Sequence, residues 1–272
     1  LVSTLLRNST RTAPAARCAV FQLGSVRSIS IPSEGVTLRY FDSRGRAQGI
    51  RYALQDAGVD FKDDRVSIQN MTSGNWFNMK NQAHISGPFG MLPVMDWGTT
   101  RLGQTEAIAG FLFHQLGHGE GAGPEKAAMS ASLVSLAHQD MIVVCLQLVS
   151  IMGSMPNAPD DQLAQSVQSC QVRINGILPR VEAMLTAAST DYLLGASPTM
   201  GDYYLMEALD VVSLVLGESM VDNYPALTAF KQRMMSRPKI SEYIQGGNRP
   251  TTLTGSPAEV AVLTKIRSLP KL

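Results

Sequence analysis

The fold is decided by the stretch Leu38-Arg39-Tyr40-Phe41-Asp42-Ser43-Arg44-Gly45-Arg46-Ala47-Gln48. Apolar and polar residues alternate from Val36 to Tyr40, which predicts a short strand. After a basic turn, apolar residues recur at helical spacing from Ile50 to Ala57, and Gly58 is a typical helix end. Residues 60–68 can form a second strand. The sequence therefore predicts a strand, a helix and a second strand.

Two later stretches complete this half of the chain. The first is Gly87-Pro88-Phe89-Gly90-Met91-Leu92-Pro93-Val94, where an X-Pro bond opens a strand, and Asp96-Trp97-Gly98-Thr99 then supplies a hairpin turn. The second is Gln104-Thr105-Glu106-Ala107-Ile108, a polar pair followed by an apolar run, which is typical of a helix start. Two strands and a helix are therefore predicted after the first unit.

The rest of the chain is predicted to be helical. Glycines alternate with other residues from Gly117 to Gly123, and Pro124 suits the first turn of a helix. No strand alternation follows up to residue 244. Thr199 and Asp202 have the spacing of a capping box, as do Ser256 and Glu259 in the C-terminal tail. We expect the tail helix to pack loosely on its own domain, with a pocket lid or a docking helix as the alternative.

Together, these stretches resemble the cytosolic-type glutathione transferases, and in particular their tyrosine-type, sigma-like members within the alpha, mu, pi and sigma branch. The resemblance implies a two-domain α/β plus all-α protein, in which a thioredoxin-like N-terminal domain precedes an all-helical C-terminal domain. The implied segments are residues 1–34 (N-terminal extension), 35–117 (thioredoxin-like, glutathione-binding), 118–124 (glycine-rich linker), 125–249 (all-helical) and 250–272 (tail with a short helix).

Tyr40 is the predicted catalytic residue. Glutathione chemistry needs a thiolate, whereas an unperturbed thiol has a pKa of about 8.5. One hydrogen bond to a charged acceptor contributes about 1.5 to 3 kcal/mol, enough to lower that pKa by about one to two units. Tyr40 ends the first strand, just before a helix whose N-terminal amides favour an anion. The resemblance implies that Arg46 supports Tyr40. The alternatives are core packing for Tyr40 and a surface salt bridge for Arg46.

Glutathione needs sites for two carboxylates and for its peptide backbone. The resemblance implies that these are Trp76, Lys80, Met91, Leu92, Pro93, Gln104 and Thr105. Gln104 and Thr105 begin a helix, whose free amides suit the γ-glutamyl carboxylate, although Thr105 could also serve as a helix cap. Trp76 and Lys80, in a stretch expected to be irregular, match positions that hold the glycyl carboxylate. An ordinary surface position is the alternative for both.

The segment before Pro93 carries one expectation and one departure. The resemblance implies that the backbone of Leu92 pairs with the cysteinyl residue and that the Leu92-Pro93 bond is cis. Met91 stands where many relatives have Lys or Gln, which removes a side-chain contact. A second departure is Ser130, which falls by ungapped count where a partner subunit offers an Asp to the glutathione amine. We therefore expect weaker glutathione binding.

Composition and charge exclude several classes of function. The net charge of +1 gives no case for a nucleic-acid partner or a polybasic membrane contact. The longest apolar run, from Met141 to Met152, is interrupted by Gln147 and Ser150, so we interpret it as a buried helix and predict no membrane span. His114 and His118 share a helical face, but the Glu of a metalloprotease motif is absent, so no metal is predicted. An odd cysteine count, Cys18, Cys145 and Cys170, favours a reducing compartment.

The first 33 residues contain four arginines and no acidic residue. This composition is typical of a mitochondrial or plastid transit peptide, and a disordered basic tail is the alternative. We therefore predict a mitochondrial location, with a cytoplasmic one as the alternative.

The predicted function is that of a glutathione transferase with a role in detoxification. Its thiolate would attack an apolar electrophile, lodged between Tyr40 and the first long helix around Leu136 and Met141. Glutathione is a substrate here, and the resemblance implies a homodimer. Two alternatives are a non-catalytic accessory subunit of a larger mitochondrial complex and a glutathione-dependent isomerase.

Overall fold

A computed structural model describes residues 29–67 and 75–270. The predicted first unit is confirmed as strand β1 (Val36–Phe41), helix α1 (Gln48–Ala57) and strand β2 (Lys62–Val66). Helix α1 ends at Gly58, whose φ of 69° is a left-handed conformation that glycine adopts without strain. Strand β2 begins later than predicted, and residue 68 of the predicted strand lies outside the described residues.

A four-stranded mixed sheet forms the first half of the chain. Its remaining elements are the short helices α2 (Asn75–Met79) and α3 (Ala83–Ser86), strands β3 (Val94–Trp97) and β4 (Thr100–Gly103), and helix α4 (Thr105–Gln115). The strand order is β2-β1-β3-β4, with β1 parallel to β2 and antiparallel to β3. This arrangement confirms the thioredoxin-like prediction. Trp76 lies in α2, so the expectation of an irregular stretch there was wrong.

The second half is helical, as predicted. Its elements are α5 (Pro124–Ser135), a π-helical segment (Leu136–Ile142), α6 (Val143–Ser154), α7 (Asp160–Ala187), α8 (Met200–Leu216), α9 (Ser219–Asp222), α10 (Pro225–Met235), α11 (Pro238–Gln245) and α12 (Glu259–Ser268). Pro124 opens α5, and the capping box of Thr199 and Asp202 is formed. The predicted domain boundaries stay a prediction.

Helix α8 is the centre of the core. Nearly all of its side chains are buried, and it packs against α1, α5 and the π-helical segment. A Cβ atom on Gly49 of α1 would lie 2.8 Å from the ring of Tyr204, so glycine is required for this close approach. The Tyr204 hydroxyl donates a hydrogen bond to the Arg46 carbonyl at 3.2 Å. The central helix therefore contacts the turn that follows β1.

Helices α5 and α6 continue through the π-helical segment as one 31-residue helix, Pro124–Ser154. By length and composition alone it is long and apolar enough to cross a membrane. However, 50% of its most apolar window is buried inside the protein, and Ala137 and Met141 lie in the core. This burial agrees with the predicted buried helix.

The C-terminal tail is firmly attached to the helical half. Leu253, Leu263, Ile266 and Leu269 are buried, and α12 packs on α6 and α8, so the expectation of loose packing was wrong. The predicted capping box with Ser256 is also wrong, because the Glu259 carboxylate accepts the backbone N–H groups of Leu253 and Thr254 at 2.7 Å each. Glu259 therefore fixes the segment before α12.

Candidate active site

Tyr40 lies near the end of β1 with its hydroxyl held by the following turn. The side chain is 6% exposed, and the Arg46 backbone N–H donates a hydrogen bond to its oxygen at 3.0 Å. Burial raises the pKa of Tyr40 above its ordinary value, although the Arg46 N–H and the charges of Arg46 and Arg51 oppose this shift. The phenol therefore keeps its proton at neutral pH. With its lone pair used by Arg46, it is arranged to donate a hydrogen bond.

The turn after β1 is fixed by backbone hydrogen bonds to the tail. The Arg44 N–H donates to the Thr252 carbonyl at 2.9 Å, and the Gly45 N–H donates to the Leu253 carbonyl at 3.0 Å. These bonds join segments that are distant in sequence. They hold the turn that places Arg46 against Tyr40.

A buried ion network holds the same turn from the helical half. The Arg44 guanidinium makes two 2.9 Å hydrogen bonds to Glu207 and one of 2.6 Å to Asp210, both on α8. Arg249 also donates to Asp210, at 3.1 Å. Burial disfavours the charged form of Arg44, but Glu207 and Asp210 nevertheless raise its pKa above the ordinary value. The turn is therefore anchored to the central helix by charge.

Gly45 leaves the space that the Tyr40 hydroxyl occupies. A Cβ atom there would lie 2.4 Å from the Tyr40 oxygen, and the φ of Gly45 is +41°. We expect Gly45→Ala to displace the hydroxyl and to destabilise the protein by about 1 to 3 kcal/mol. Glutathione conjugation rates and urea unfolding would measure both effects.

Gly121→Ala is the matched control for this substitution. Gly121 also has a positive φ, +67°, but a Cβ atom there would meet nothing within 4 Å. It should lose about 1 kcal/mol of stability through backbone strain and keep its activity. Equal activity in the two variants would contradict the role given to Gly45.

A groove of about 350 Å³ lies beside the end of β1. It is lined by Phe41, Arg46, Trp76, Lys80, Gly90, Met91, Leu92, Pro93, Gln104 and Thr105. Every predicted site residue apart from Tyr40 is therefore brought together in this groove. Phe41 also lines the groove, although it was not predicted as a site residue, and its ring contacts that of Trp76 edge-on at 5.1 Å between centroids. A strand aromatic of this kind carries no sequence signal that distinguishes it from core.

The segment before Pro93 forms one wall of the groove. The Leu92-Pro93 bond is cis, which confirms the prediction. Leu92 lies beyond the last pair of the β1–β3 ladder, Arg39 with Val94, so its backbone is outside that register. The Met91 side chain is 56% exposed and lines the groove without offering a charged contact.

The opposite wall is the start of α4. Thr105 is buried, and Gln104 has a φ of 72°, the only positive value at a non-glycine position within the described residues. Gln104 is the N-cap residue of α4, and its side chain makes no hydrogen bond that caps the helix. Backbone strain of this kind is concentrated at ligand sites. Sequence patterns alone do not reveal it.

A charged contact next to Thr105 was also missed. The Glu106 carboxylate accepts hydrogen bonds from His138 Nδ1 at 2.8 Å and Gln139 Nε2 at 2.5 Å. Burial alone would raise the pKa of Glu106, but these two hydrogen bonds hold it below its ordinary value. The first turn of α4 is thereby tied to the π-helical segment.

A second hollow, of about 600 Å³, opens on the other side of Tyr40. We call it the Tyr40 hollow, and it is lined by Tyr40, Phe41, Ser43, Gly45, Arg46, Val143, Leu146, Gln147, Ser150, Ile151, Leu253 and Thr254. It shares Phe41 and Arg46 with the groove, so the two cavities are neighbours next to Tyr40. A ligand in the groove and a second molecule in the hollow would adjoin at this point.

Comparison with known proteins agrees with this arrangement. A family model described as "Glutathione S-transferase, C-terminal domain" matches residues 150–247. Glutathione S-transferase P 1 of Xenopus laevis is 28% identical over 215 residues, which are 79% of this chain and 94% of that protein. Glutathione S-transferase A1 of Mus musculus is 27% identical over 214 residues, 78% of this chain and 88% of that protein.

Solved structures give the same result. Monomeric Na-GST-3, a glutathione S-transferase from the hookworm Necator americanus, is 26% identical with a TM-score of 0.67, covering 80% of this chain and 98% of that one. The chain is a homologue of the glutathione S-transferases. The identities support glutathione S-transferase function at the level of the family, while the sigma-like assignment stays a prediction.

Two predictions made for this glutathione S-transferase homologue are corrected by its structure. Leu136 and Met141 do not line the Tyr40 hollow, and Met141 is completely buried. Both lie in the π-helical segment, whose wider turns shift the side-chain register, so the lining begins at Val143 instead.

Ser130 is the second correction. It is 1% exposed, and its hydroxyl accepts a hydrogen bond from the Gly201 N–H of α8 at 3.3 Å. Because it faces its own core, it is not placed to contact glutathione in a partner subunit. The glycine-rich segment before α5 made an ungapped count across it unreliable.

Histidines do not form a metal site in the part of the chain that the structure describes. No group of three or more His, Cys, Asp or Glu residues could hold a metal ion there. His118 instead contacts the rings of Phe113 and Tyr203, and burial lowers its pKa to about 4.

Proposed function

We propose that this chain is a glutathione transferase in which the Tyr40 hydroxyl stabilises the thiolate of bound glutathione. The observation that carries the proposal is the position of this protonated hydroxyl. Tyr40 lines the Tyr40 hollow, and its neighbours Phe41 and Arg46 line both this hollow and the groove. An anion at this point would have a hydrogen-bond donor and a positive charge beside it.

The free energy of one hydrogen bond from Tyr40 is sufficient to lower the pKa of the glutathione thiol. Lowering a thiol pKa from about 8.5 to between 6.5 and 7.5 requires roughly 1.4 to 2.8 kcal/mol. A hydrogen bond to a charged acceptor supplies about 1.5 to 3 kcal/mol. Arg46 adds to this, since it forms no ion pair with any described acidic residue and its charge is available to the cavities. Catalysis then rests on thiolate stabilisation and proximity.

The groove offers a complementary site for glutathione. The uncapped first turn of α4, at Gln104 and Thr105, suits the γ-glutamyl carboxylate. Leu92, outside the strand ladder, suits the cysteinyl backbone, and Trp76 and Lys80 suit the glycyl carboxylate. In this arrangement the cysteinyl sulfur would point toward Tyr40. The apolar part of the electrophile would then contact Val143, Leu146 and Leu253 in the Tyr40 hollow.

Glutathione binding and conjugation test the proposal directly. Calorimetry should show saturable binding of glutathione to the purified chain, and 1-chloro-2,4-dinitrobenzene should be converted to its glutathione conjugate. Absence of glutathione binding would overturn the proposal. Binding without conjugation or any rearranged product would instead favour the accessory-subunit alternative, and a rearranged product without conjugate would favour the isomerase.

Thr105→Ala should weaken glutathione binding by about tenfold or more, because a buried hydroxyl beside the γ-glutamyl carboxylate is lost. Calorimetry would measure the change. Thr264→Ala is the matched control, since that hydroxyl donates to the Val260 carbonyl on α12 and Thr264 does not line the groove. Equal affinities in the two variants would contradict the placement of glutathione.

A homodimer and a mitochondrial location belong to the same proposal. Sedimentation of the purified chain tests the first. Imaging of a tagged chain with and without residues 1–33 tests the second, because the arginine-rich composition of that segment motivates it. Residues 1–28 lie outside the described part of the chain.

A further inference from the structure

The walls of the Tyr40 hollow carry almost no charge. Arg46 is its only charged lining residue within the described chain, and it stands beside Tyr40 at the junction with the groove. None of the described residues that line the hollow carries a carboxylate. An ionic electrophile would therefore find no counter-charge away from the junction, where the thiolate itself would sit.

One wall of the hollow is formed by helix α6, and the polarity of its side chains changes along the helix. Val143 and Leu146 line the hollow at the first turn of the helix, and Gln147 and Ser150 line it one turn further on. Their spacing by three and four residues places all of them on one helix face. The wall is therefore apolar at the start of α6, whereas further along the helix Gln147 and Ser150 place two polar side chains beside Ile151.

The polar end has unused hydrogen-bonding capacity. Gln147 and Ser150 are exposed, and neither side chain has a hydrogen-bond partner among the residues that the structure describes. Thr254 differs, because its hydroxyl donates to the Glu259 carboxylate at 2.6 Å. An amide and a hydroxyl on α6 thus remain available to a bound molecule.

The facing wall is fixed rather than adaptable. Leu253 is buried, its carbonyl accepts the Gly45 N–H at 3.0 Å, and its N–H donates to Glu259 at 2.7 Å. Because both its donor and its acceptor are used within the chain, Leu253 offers only apolar contact. Gln147 and Ser150 on α6 therefore supply polar contacts opposite Leu253, away from Tyr40 and Arg46.

We propose that the electrophile is an uncharged molecule with an apolar body and a hydroxyl or carbonyl group that binds Gln147 and Ser150. This inference rests on the proposed function. A wholly apolar molecule would remove water from both side chains without replacing their hydrogen bonds. The two side chains would thus select among electrophiles of equal reactivity.

Conjugation to an unsaturated ketone provides a balanced test reaction. The glutathione sulfur forms a bond to the β-carbon, and the alkene electron pair moves toward the carbonyl oxygen. The proton released from the thiol ends on the α-carbon, so nothing leaves. Oct-3-en-2-one and its 5-hydroxy derivative undergo the same step and differ by one hydroxyl group.

The experiment compares the ratio of kcat/KM for these two ketones between protein variants, which cancels their intrinsic difference in reactivity. In the double variant Gln147→Leu, Ser150→Ala, the ratio of hydroxylated to parent ketone should fall about tenfold, equivalent to 1.4 kcal/mol. The control Ser154→Ala removes a hydroxyl from the same helix outside the hollow, where it bonds to the Ile151 carbonyl, and should leave the ratio unchanged.

The outcomes separate this inference from the function on which it rests. Conjugation of both ketones with the same ratio in all variants would overturn the inference alone. Failure of the unmodified chain to conjugate either ketone or 1-chloro-2,4-dinitrobenzene would overturn the proposed function and this inference with it.

Discussion

Tyr40→Phe is expected to slow glutathione conjugation near pH 7 by about one to two orders of magnitude. The substitution keeps the ring, which is 6% exposed and packs edge-on against Phe41, and removes only the hydroxyl. The Arg46 N–H loses its acceptor at the same time. The sulfur then loses its donor, and a smaller fraction of bound glutathione is thiolate. Steady-state kcat/KM with 1-chloro-2,4-dinitrobenzene measures the effect.

Tyr243→Phe is the matched control. Its hydroxyl lies 3.5 Å from Gln48 Nε2 and lines neither the groove nor the Tyr40 hollow. Its conjugation rate should stay within about twofold of the unmodified chain, since it removes one weak hydrogen bond away from the cavities. A Tyr40→Phe rate as high as that of the control would remove Tyr40 from the mechanism.

Glu207→Leu should lower the free energy of unfolding by about 3 to 5 kcal/mol. The side chains of Arg44 and Glu207 are 4% and 0% exposed, so removal of the carboxylate leaves a buried guanidinium with Asp210 as its remaining ion-pair partner among the described residues. The turn before Arg46 should also loosen, which would reduce conjugation. Urea unfolding with an unchanged m-value would measure the loss of stability.

Two further variants test whether this loss of stability comes from the buried charge left on Arg44. Asp140→Asn removes an exposed ion pair with Arg173, whose side chains are 39% and 54% exposed, and should cost at most about 1 kcal/mol. Adding Arg44→Met to Glu207→Leu should recover much of the stability, because no unpaired buried charge remains between them. If Glu207→Leu cost no more than Asp140→Asn, the turn would not depend on this network.

Local sequence signals were sufficient for the elements around Tyr40. Strand alternation, helical spacing and Gly58 as a helix end predicted β1 and α1, and the resemblance supplied the cis Leu92-Pro93 bond. These features depend on residues close together in the chain. The groove residues were predicted from the same resemblance, residue by residue.

Contacts between distant segments could not be predicted from the same patterns. Arg44 and Glu207 are separated by 163 positions, and no periodicity links them. The π-helical segment likewise alters the side-chain register of a helix that looks regular in sequence. For this reason Met141 was wrongly predicted to line the hollow. The position of Ser130 failed in a similar way. Correct predictions at these positions would have required distances between residues in space, which spacing along the sequence does not give.

Ultraviolet difference spectroscopy of bound glutathione across pH tests most directly whether Tyr40 stabilises the thiolate. In the unmodified chain, the bound thiol should have a pKa about one to two units below the free value of about 8.5. In Tyr40→Phe it should return toward the free value while glutathione still binds. A bound thiol that titrates at the free value in the unmodified chain would contradict the proposed role of Tyr40.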